Sequence, residues 1–198
     1  MPSKDAAKES LAEYEERLYG CVSRAVRRWF IEIAPRIATA SKRLRASAIC
    51  DLIGEEVRKE FDDEDGMRLF VKYERILVSI AGELVIRFKK LDRRFRTANY
   101  PTQTALQFDN AQPPLPLGIV PPGERITIGY KLDRAEIQLE SVWVLQQRDG
   151  GIEWLYPITP TLADVKRLPQ PSKEERRVTA RRQPADTKRK KKDGGQPD

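Results

Sequence analysis

The apolar periodicity of the chain changes once, at the acidic turn Asp62–Gly66. Before this turn, apolar residues recur at every third or fourth position over residues 8–33 and 42–61, which is the spacing of amphipathic helices. After the turn, apolar residues alternate with polar ones, which is typical of strands. The strand patterns cover residues 69–81, 84–91, 125–132, 136–146 and 152–158. This order predicts an α+β domain, with two N-terminal helices packed on a mostly antiparallel sheet of about five strands.

Local signals indicate where these elements begin and end. Pro35 disfavours helical geometry in the residue before it, so the first helix should end or kink there. Ser41 can cap the second helix, because its hydroxyl can accept a hydrogen bond from a free backbone N–H. Residues Arg148–Gly151 predict a hairpin turn between the last two strands. The segment Pro113–Pro122 is half proline, which predicts an extended connection and excludes a central strand.

The positive charge of the chain is concentrated at its C-terminal end. The net charge is +7 at pH 7. Residues 166–198 contain twelve Lys and Arg but only five Asp and Glu, so they account for the whole excess. A segment with so few apolar residues cannot bury a core. We therefore expect one folded domain over residues 1–162, helical in 8–61 and strand-rich in 68–160, followed by a disordered basic tail over 163–198.

Several classes of protein are excluded by what the sequence lacks. The chain has no histidine, which excludes Ser-His-Asp and Cys-His catalysis and histidine-based zinc sites, and it has no glycine-rich phosphate loop. Cys21 and Cys50 lie in apolar helical patterns, which predicts buried thiols and no disulfide. No apolar run is long enough to span a bilayer, and the N-terminus lacks the apolar core of a signal peptide. We expect a cytoplasmic protein with no cofactor, no bound metal and no membrane contact.

The stretch Leu84–Arg96 begins as a strand and becomes a cluster of cations. Its six cations are Arg87, Lys89, Lys90, Arg93, Arg94 and Arg96. In a strand, Arg87 and Lys89 share the face opposite to the apolar side chains, and the three later arginines belong to a following turn. Because Phe88, Phe95 and Tyr100 lie among or near these cations, the stretch predicts contacts with phosphates and stacking on bases. The alternative is a solvated edge strand, on which Lys and Arg oppose aggregation.

A second cluster of cations lies in the tail. It consists of Lys188, Arg189, Lys190, Lys191 and Lys192. Segments of this kind attract polyanions over long distances and bind them without sequence specificity. The tail therefore predicts non-specific affinity for DNA or RNA through their phosphates.

The order of elements also resembles that of the PD-(D/E)xK nucleases, in which acidic residues hold Mg²⁺ and a lysine helps to activate the attacking water. The resemblance rests on a helix that carries Glu55 and Glu56, followed by strands that end in LVIRFKK. Two positions before Lys89, where the family has an acid, this sequence has Arg87. A divergent or degenerate relative would have to use Glu55 or Glu56, Glu83 and Lys89 with Mg²⁺.

A further resemblance, to a group of bacterial and prophage proteins, covers roughly residues 40–160. It rests on the run VIRFKKLDRRFRTANYPTQTALQFDNAQ, the proline-rich link, the run ITIGYKLD and the hairpin that ends in EWLYPI. Such proteins are similar to small partners encoded beside helix-turn-helix or ImmA/IrrE-type metallopeptidase genes, in toxin–antitoxin or phage-defence-like modules. The resemblance implies an accessory or regulatory protein that binds a protein partner from a neighbouring gene, and it assigns no catalytic residue. A purely protein-binding module, with the proline segment or the N-terminal helices as its interface, is another alternative.

Overall fold

The structure, a computed structural model, describes residues 3–37, 39–62, 64–72, 75–97, 108, 123–148 and 151–160. Its helices are α1 (Lys4–Leu11), α2 (Glu15–Arg28) and α3 (Lys42–Glu60). Its strands are β1 (Met67–Lys72), β2 (Arg75–Ile80), β3 (Leu84–Lys90), β4 (Glu124–Leu132), β5 (Leu139–Arg148) and β6 (Gly151–Ile158). The predicted α+β class is confirmed. The tail after residue 162, with its predicted disorder, and the proline segment Pro113–Pro122 lie outside the described residues.

The N-terminal region forms two helices where the periodicity predicted one over residues 8–33. Ser3 caps α1 by accepting a hydrogen bond from the N–H of Ala6, and a turn at residues 12–14 separates α1 from α2. After α2 the chain continues as a π-helical turn (Trp29–Ile33) and a 3₁₀ turn (Ala34–Arg36). Pro35 explains this change, because it has no N–H with which to continue the α-helical hydrogen bonds. The predicted cap of α3 is confirmed, since Ser41 accepts the N–H of Leu44 at 3.1 Å.

The six strands form one sheet in the order β1-β2-β3-β4-β5-β6. All neighbouring strands are antiparallel except β3 and β4, which run parallel with Leu84 beside Glu124 and Lys90 beside Tyr130. The expected five strands become six because the pattern over residues 69–81 is a hairpin of β1 and β2. The sequence between these two strands, Tyr73 and Glu74, has no Gly, Asn, Asp or Pro that would have indicated a turn.

The helices pack on one face of the sheet, with α3 over β2 and β3 and α2 over β5 and β6. The core between them includes the buried side chains of Leu18, Trp29, Ile53, Phe61, Ile86, Ile128 and Tyr130. Gly54 allows the close approach of α3 to the sheet, because a Cβ atom at this position would overlap the side chain of Ile76. No helix in the described part of the chain is long and apolar enough to cross a membrane.

The opposite face of the sheet, here the far face, is also buried at its centre. The strand register places Val85, Thr127 and Leu145 on the far face, and all three are almost completely buried. Phe108, in the connection between β3 and β4, contributes to this cover, because the Arg87 guanidinium carbon lies 4.3 Å from the centroid of its ring. The central strands are therefore buried on both faces, which explains why apolar residues occupy adjacent positions in β3.

The two cysteines differ in their surroundings, although both are free thiols. Cys21 is buried as predicted, and this burial raises the pKa of its thiol to about 12, with smaller effects from neighbouring charges. Cys50 is only partly buried, and its Sγ lies 3.6 Å from the carbonyl oxygen of Phe88. Since a thiolate is the reactive form, the Cys21 thiol is inert at neutral pH.

Candidate nucleic-acid interface

The cations of Leu84–Arg96 do not form a single patch, because the strand and its turn direct them to different places. Lys89 is partly buried and shares the far face of the sheet with Arg87. Lys90 lies on the helix-covered face, close to the start of α3. The arginines at positions 93, 94 and 96 are exposed in the turn that follows β3. Only this last group has the exposure that the sequence predicted for the whole stretch.

Arg87 is buried, with 6% of its surface exposed, which argues against the predicted contact between Arg87 and nucleic acid. Its Nε atom donates to Thr127 Oγ1 at 2.8 Å, and its Nη2 atom donates to Gln147 Oε1 at 3.2 Å. The guanidinium also lies against the ring of Phe108. Arg87 thus connects β3 with β4 and β5 inside the molecule, and its charge is screened from an external phosphate.

Lys90 is held by Glu136, which lies in the turn between β4 and β5. The Lys90 Nζ atom donates to Glu136 Oε1 at 2.7 Å, and Arg45 of α3 lies 3.3 Å from Glu136 Oε2 and donates to the Glu136 carbonyl oxygen at 2.9 Å. The hydrogen bond from Lys90, together with the charges of Lys90, Lys42 and Arg45, lowers the pKa of the Glu136 carboxyl despite its partial burial. These contacts, here called the Glu136 clamp, connect α3, β3 and the β4–β5 turn.

The turn after β3 is organised by Asp92. Its Oδ1 atom accepts the backbone N–H groups of Arg94 at 2.7 Å and Arg96 at 2.9 Å. Burial alone would raise the pKa of the Asp92 carboxyl, but these two backbone donors and the Arg96 guanidinium outweigh burial and lower it. Within the described residues, the side chains of Arg93 and Arg94 take part in no hydrogen bond or ion pair, so both guanidinium groups are available to an external anion.

A second turn lies beside the first, because β3 and β4 are parallel and their C-terminal ends meet at the same edge of the sheet. This β4–β5 turn carries the exposed Arg134, and a shallow groove of about 410 Å³ separates it from Arg93. The groove is lined by Arg93, Lys131, Leu132, Asp133, Arg134 and Glu140. The N-terminus of α3 reaches the same edge through the bond from Arg45 to Glu136.

We call this edge the basic end and define it as residues 42–45, 89–97 and 131–140. It contains ten Lys and Arg but only four Asp and Glu, whereas residues 1–165 as a whole contain equal numbers of each sign. All four acids have partners within the basic end: Asp92 and Asp133 accept backbone N–H groups, Glu136 binds Lys90 and Arg45, and Glu140 pairs with Lys131. The excess charge is therefore cationic and exposed to solvent.

Two aromatic side chains lie at the basic end. The ring centroids of Phe95 and Trp143 are 4.6 Å apart in an edge-to-face contact, and Lys131 Nζ lies 4.7 Å from the Phe95 centroid. Both rings are partly exposed. The expected stacking of Phe88 on a base is wrong, because this ring is buried among the helices, and Tyr100 lies outside the described residues.

The candidate residues of the nuclease hypothesis do not converge. Glu55 and Glu56 lie on α3 and bind arginines of α2: Arg28 Nη1 is 2.6 Å from Glu55, and Arg24 Nε is 2.9 Å from Glu56. Lys89 lies on the far face, with the sheet between it and α3. Glu83 precedes the opposite end of β3, six residues from Lys89, which corresponds to about 20 Å along a strand.

This separation contradicts a Mg²⁺ site built from those four residues. In the part of the chain that the structure describes, no three His, Cys, Asp or Glu residues form a group that could hold a metal ion. Glu55 and Glu56 instead belong to a set of ion pairs between α2 and α3. The set comprises Arg17, Arg24 and Arg28 with Glu55, Glu56, Glu60 and Glu64. Its contribution is to helix packing.

Sequence reasoning missed part of the basic end. Arg45 lies far along the chain from Leu84–Arg96, and so do Lys131 and Arg134, which the nearby acids Asp133 and Glu136 conceal in a local charge count. Only the parallel pairing of β3 with β4 places them beside the arginines of the β3 turn. The five cations of residues 188–192 lie outside the described part of the chain, and their role stays a prediction.

Comparison of the chain with protein-family models, with curated proteins and with solved structures found no match. The resemblance to companions of toxin–antitoxin or phage-defence modules therefore stays a prediction.

Proposed function

We propose that this protein binds nucleic acid through its basic end, by contacts with backbone phosphates. In this proposal it is the regulatory or accessory member of a bacterial toxin–antitoxin or phage-defence-like module, and the basic tail adds non-specific affinity. The observation that supports the proposal is the presence of exposed arginines in two adjacent turns, where every neighbouring acid already has a partner. A phosphate can approach these arginines without displacing an internal ion pair.

The side chains of the basic end are better suited to bind phosphate than to bind an apolar partner. Guanidinium groups present paired N–H donors that match phosphate oxygens. The N-terminus of α3, which is 19 residues long, directs the positive end of its helix dipole to the same edge. No base-reading helix or ribbon is needed for such contacts, so we expect affinity with weak sequence preference and a steep dependence on salt.

The test compares two double variants of the full chain that remove the same charge. Arg93→Gln with Arg94→Gln changes the basic end, and Arg58→Gln with Arg68→Gln changes exposed arginines at the opposite end of α3 and of the sheet. Binding to labelled 20-nucleotide DNA and RNA would be measured by fluorescence polarisation between 50 and 200 mM salt, a range in which phosphate contacts weaken strongly, by about 10³-fold for six contacts.

We expect the change at positions 93 and 94 to weaken binding and to reduce the slope of log affinity against log salt by about two, one for each lost phosphate contact. The change at positions 58 and 68 should leave both quantities nearly as in the wild type. Equal behaviour of the two variants, or affinity that does not fall with salt, would overturn the proposal.

A second candidate function is a module that binds a protein partner without nucleic acid. Two observations favour it: Val71 on the edge strand β1 is 64% exposed, and Ile31 after α2 is 61% exposed. An edge strand with an exposed apolar side chain can pair with a strand of another chain. This candidate predicts a stoichiometric complex that survives nuclease treatment and is weakened by Val71→Lys. The double change at positions 93 and 94 should leave that complex intact.

A further inference from the structure

The basic end combines its cations with two aromatic rings, and this combination points to a particular form of nucleic acid. Phosphate contacts alone do not distinguish duplex from single strand. Aromatic side chains do, because a base can stack on a ring only when the base is unpaired and exposed. Resting on the function proposed above, we infer that the basic end binds single-stranded nucleic acid, with unpaired bases stacked on Phe95 and Trp143.

The backbone conformation of Phe95 supports this inference. Its φ angle is +60°, in the left-handed region where Gly or Asn is favoured and a bulky residue is uncommon. Such a conformation costs free energy and persists where the surrounding structure holds it, often at binding sites. Here the Asp92 hydrogen bonds hold the turn on both sides of Phe95, and the ring is directed onto Trp143 on the far face.

The position of Trp143 extends the aromatic surface onto the sheet. Trp143 lies on the far face of β5 opposite Gly129 of β4, and its indole Nε1 donates to Ser141 Oγ at 2.9 Å, which fixes the ring. Gly129 has no side chain, and the space above it is filled by Leu91, since a Cβ atom at Gly129 would overlap the Leu91 side chain. The two partly exposed rings therefore form an apolar surface at the basic end.

Lysine and arginine side chains lie beside these two rings in space or in sequence. Lys131 Nζ lies over the Phe95 ring at 4.7 Å, Arg93 and Arg94 precede Phe95 in the same turn, and Arg96 follows it. A base stacked at the rings places its own phosphates near these side chains. Sheet faces with partly exposed aromatics and adjacent cations recognise unpaired DNA and RNA in the same way, with little dependence on sequence.

The experiment compares three ligands of one length for the full chain with residues 188–192 changed to Gln, so that tail binding is reduced. The ligands are an unstructured 12-nucleotide strand (oligo-dT or oligo-rU), a 12-base-pair duplex, and an abasic 12-mer that keeps the phosphates but has no bases. We expect the strand with bases to bind at least about fivefold more tightly than the abasic strand, the lower limit for one stacked base. The DNA and RNA forms should behave alike, because every base has a π-face.

Variants then assign the effect to the rings. Phe95→Gly removes one of the two rings and suits the positive φ angle, so folding should be retained, and it should reduce the preference for the strand with bases over the abasic strand. Phe95→Tyr should keep the preference, and Trp154→Phe, on the helix-covered face of β6, serves as the aromatic control.

Binding should quench tryptophan fluorescence, and Trp143→Phe should abolish that quench, because Trp29 is buried and Trp154 lies on the other face.

The outcomes separate the two proposals. If the protein with residues 188–192 changed to Gln binds the abasic strand or the duplex as tightly as the strand with bases, stacking is overturned while phosphate binding stands. If the strand with bases binds no more weakly to the Arg93→Gln, Arg94→Gln variant than to wild type, the proposed function is overturned. The comparison of the three ligands needs no change in the folded region, so loss of folding in Phe95→Gly would not prevent a decision.

Discussion

At the scale of single residues, Arg87 and Arg93 show that neighbouring arginines of one basic run have different roles. Arg87 is buried on the far face and donates to side chains of β4 and β5, whereas Arg93 is exposed in the turn after β3. When a buried cationic side chain is replaced, the acceptors that it bound remain buried without a hydrogen bond. When an exposed cationic side chain is replaced, water takes its place. The two residues should therefore respond differently to the same substitution.

We predict that Arg87→Gln lowers the free energy of unfolding by about 1–3 kcal/mol, because the buried bonds to Thr127 and Gln147 are lost. Arg93→Gln should change stability by less than about 0.5 kcal/mol. Urea unfolding followed by circular dichroism measures this difference. A stable Arg87→Gln protein with weakened nucleic-acid binding would show that Arg87 contacts the ligand after all.

The charge pattern of residues 87–96 indicated cations but not which of them reach solvent. The alternation of side chains along β3 correctly predicted that Arg87 lies on the sheet face opposite to the helices. Nothing in the sequence indicated that this far face is buried, so we expected Arg87 to be exposed to solvent. The far face is buried at its centre, and the ring of Phe108 lies against Arg87 on this face. That contact joins residues 21 positions apart, which no local pattern can indicate.

At the scale of elements, the contact between α3 and the sheet depends on the absence of a side chain at Gly54. A Cβ atom there would overlap Ile76 of β2. Gly20 of α2 offers a matched comparison, because the nearest atom to an added Cβ is the flexible end of Arg24, 3.2 Å away. Both glycines lie inside helices, where Ala is intrinsically the better helix former.

We predict opposite effects of the same substitution at these two positions. Gly54→Ala should lower the free energy of unfolding by about 1–3 kcal/mol through overpacking, whereas Gly20→Ala should raise it by about 0.5–1 kcal/mol through helix propensity. Thermal and urea unfolding of the two variants provide the measurement. Equal stabilisation by both would show that α3 can move away from Ile76 without cost.

The Glu136 clamp joins three elements and makes part of their stability dependent on pH. The pKa of the Glu136 carboxyl is lowered in the folded state, so its contribution is complete above the unfolded value near 4.5 and is lost as pH falls through the folded value. The side chains of Glu136 and its partner Lys90 are 27% and 20% exposed, so solvent screens the pair only in part.

We therefore predict that Glu136→Gln lowers the free energy of unfolding by about 1 kcal/mol at pH 7. The difference from wild type should shrink below pH 4.5 and disappear once Glu136 is protonated in the folded protein. Urea unfolding between pH 3 and 7 tests this dependence, with the more exposed Glu140→Gln as a control of equal charge change. A difference that stays constant over this range would contradict the clamp.

At the scale of the whole molecule, a folded region of balanced charge has an uneven charge distribution. Four acids of α3 and the turn after it are paired with arginines of α2, whereas the basic end has six more cations than acids. The tail of residues 166–198 carries the whole net charge of +7. Two cationic regions on one chain should increase the rate and strength of association with a polyanion.

We predict that replacing the five cations of residues 188–192 by Gln lowers affinity by a similar factor for DNA and RNA of any sequence. The physical reason is that such a segment interacts with phosphate charge and not with base edges. Polarisation assays with several unrelated oligonucleotides measure the effect. A loss confined to one sequence would contradict non-specific binding by the tail.

By itself, the sequence determined the α+β class, the end of the helical pattern near Pro35, the cap at Ser41, the boundaries of α3 and most strand positions. These properties follow from interactions between residues close together in the chain, such as periodicity, caps and turn residues. Where a local signal was missing, as at Tyr73 and Glu74 between β1 and β2, two strands were taken for one.

Only the tertiary structure decided which cations are exposed. In the folded protein Arg87 is buried and Lys90 is bound to Glu136. Lys89 lies apart from Glu55 and Glu56, and the two turns of the basic end lie side by side. The physical reason is that the parallel pairing of β3 with β4 and the second cover of the sheet join residues far apart in the chain. Burial and ion pairing depend on those distant contacts, and neither can be predicted from local composition.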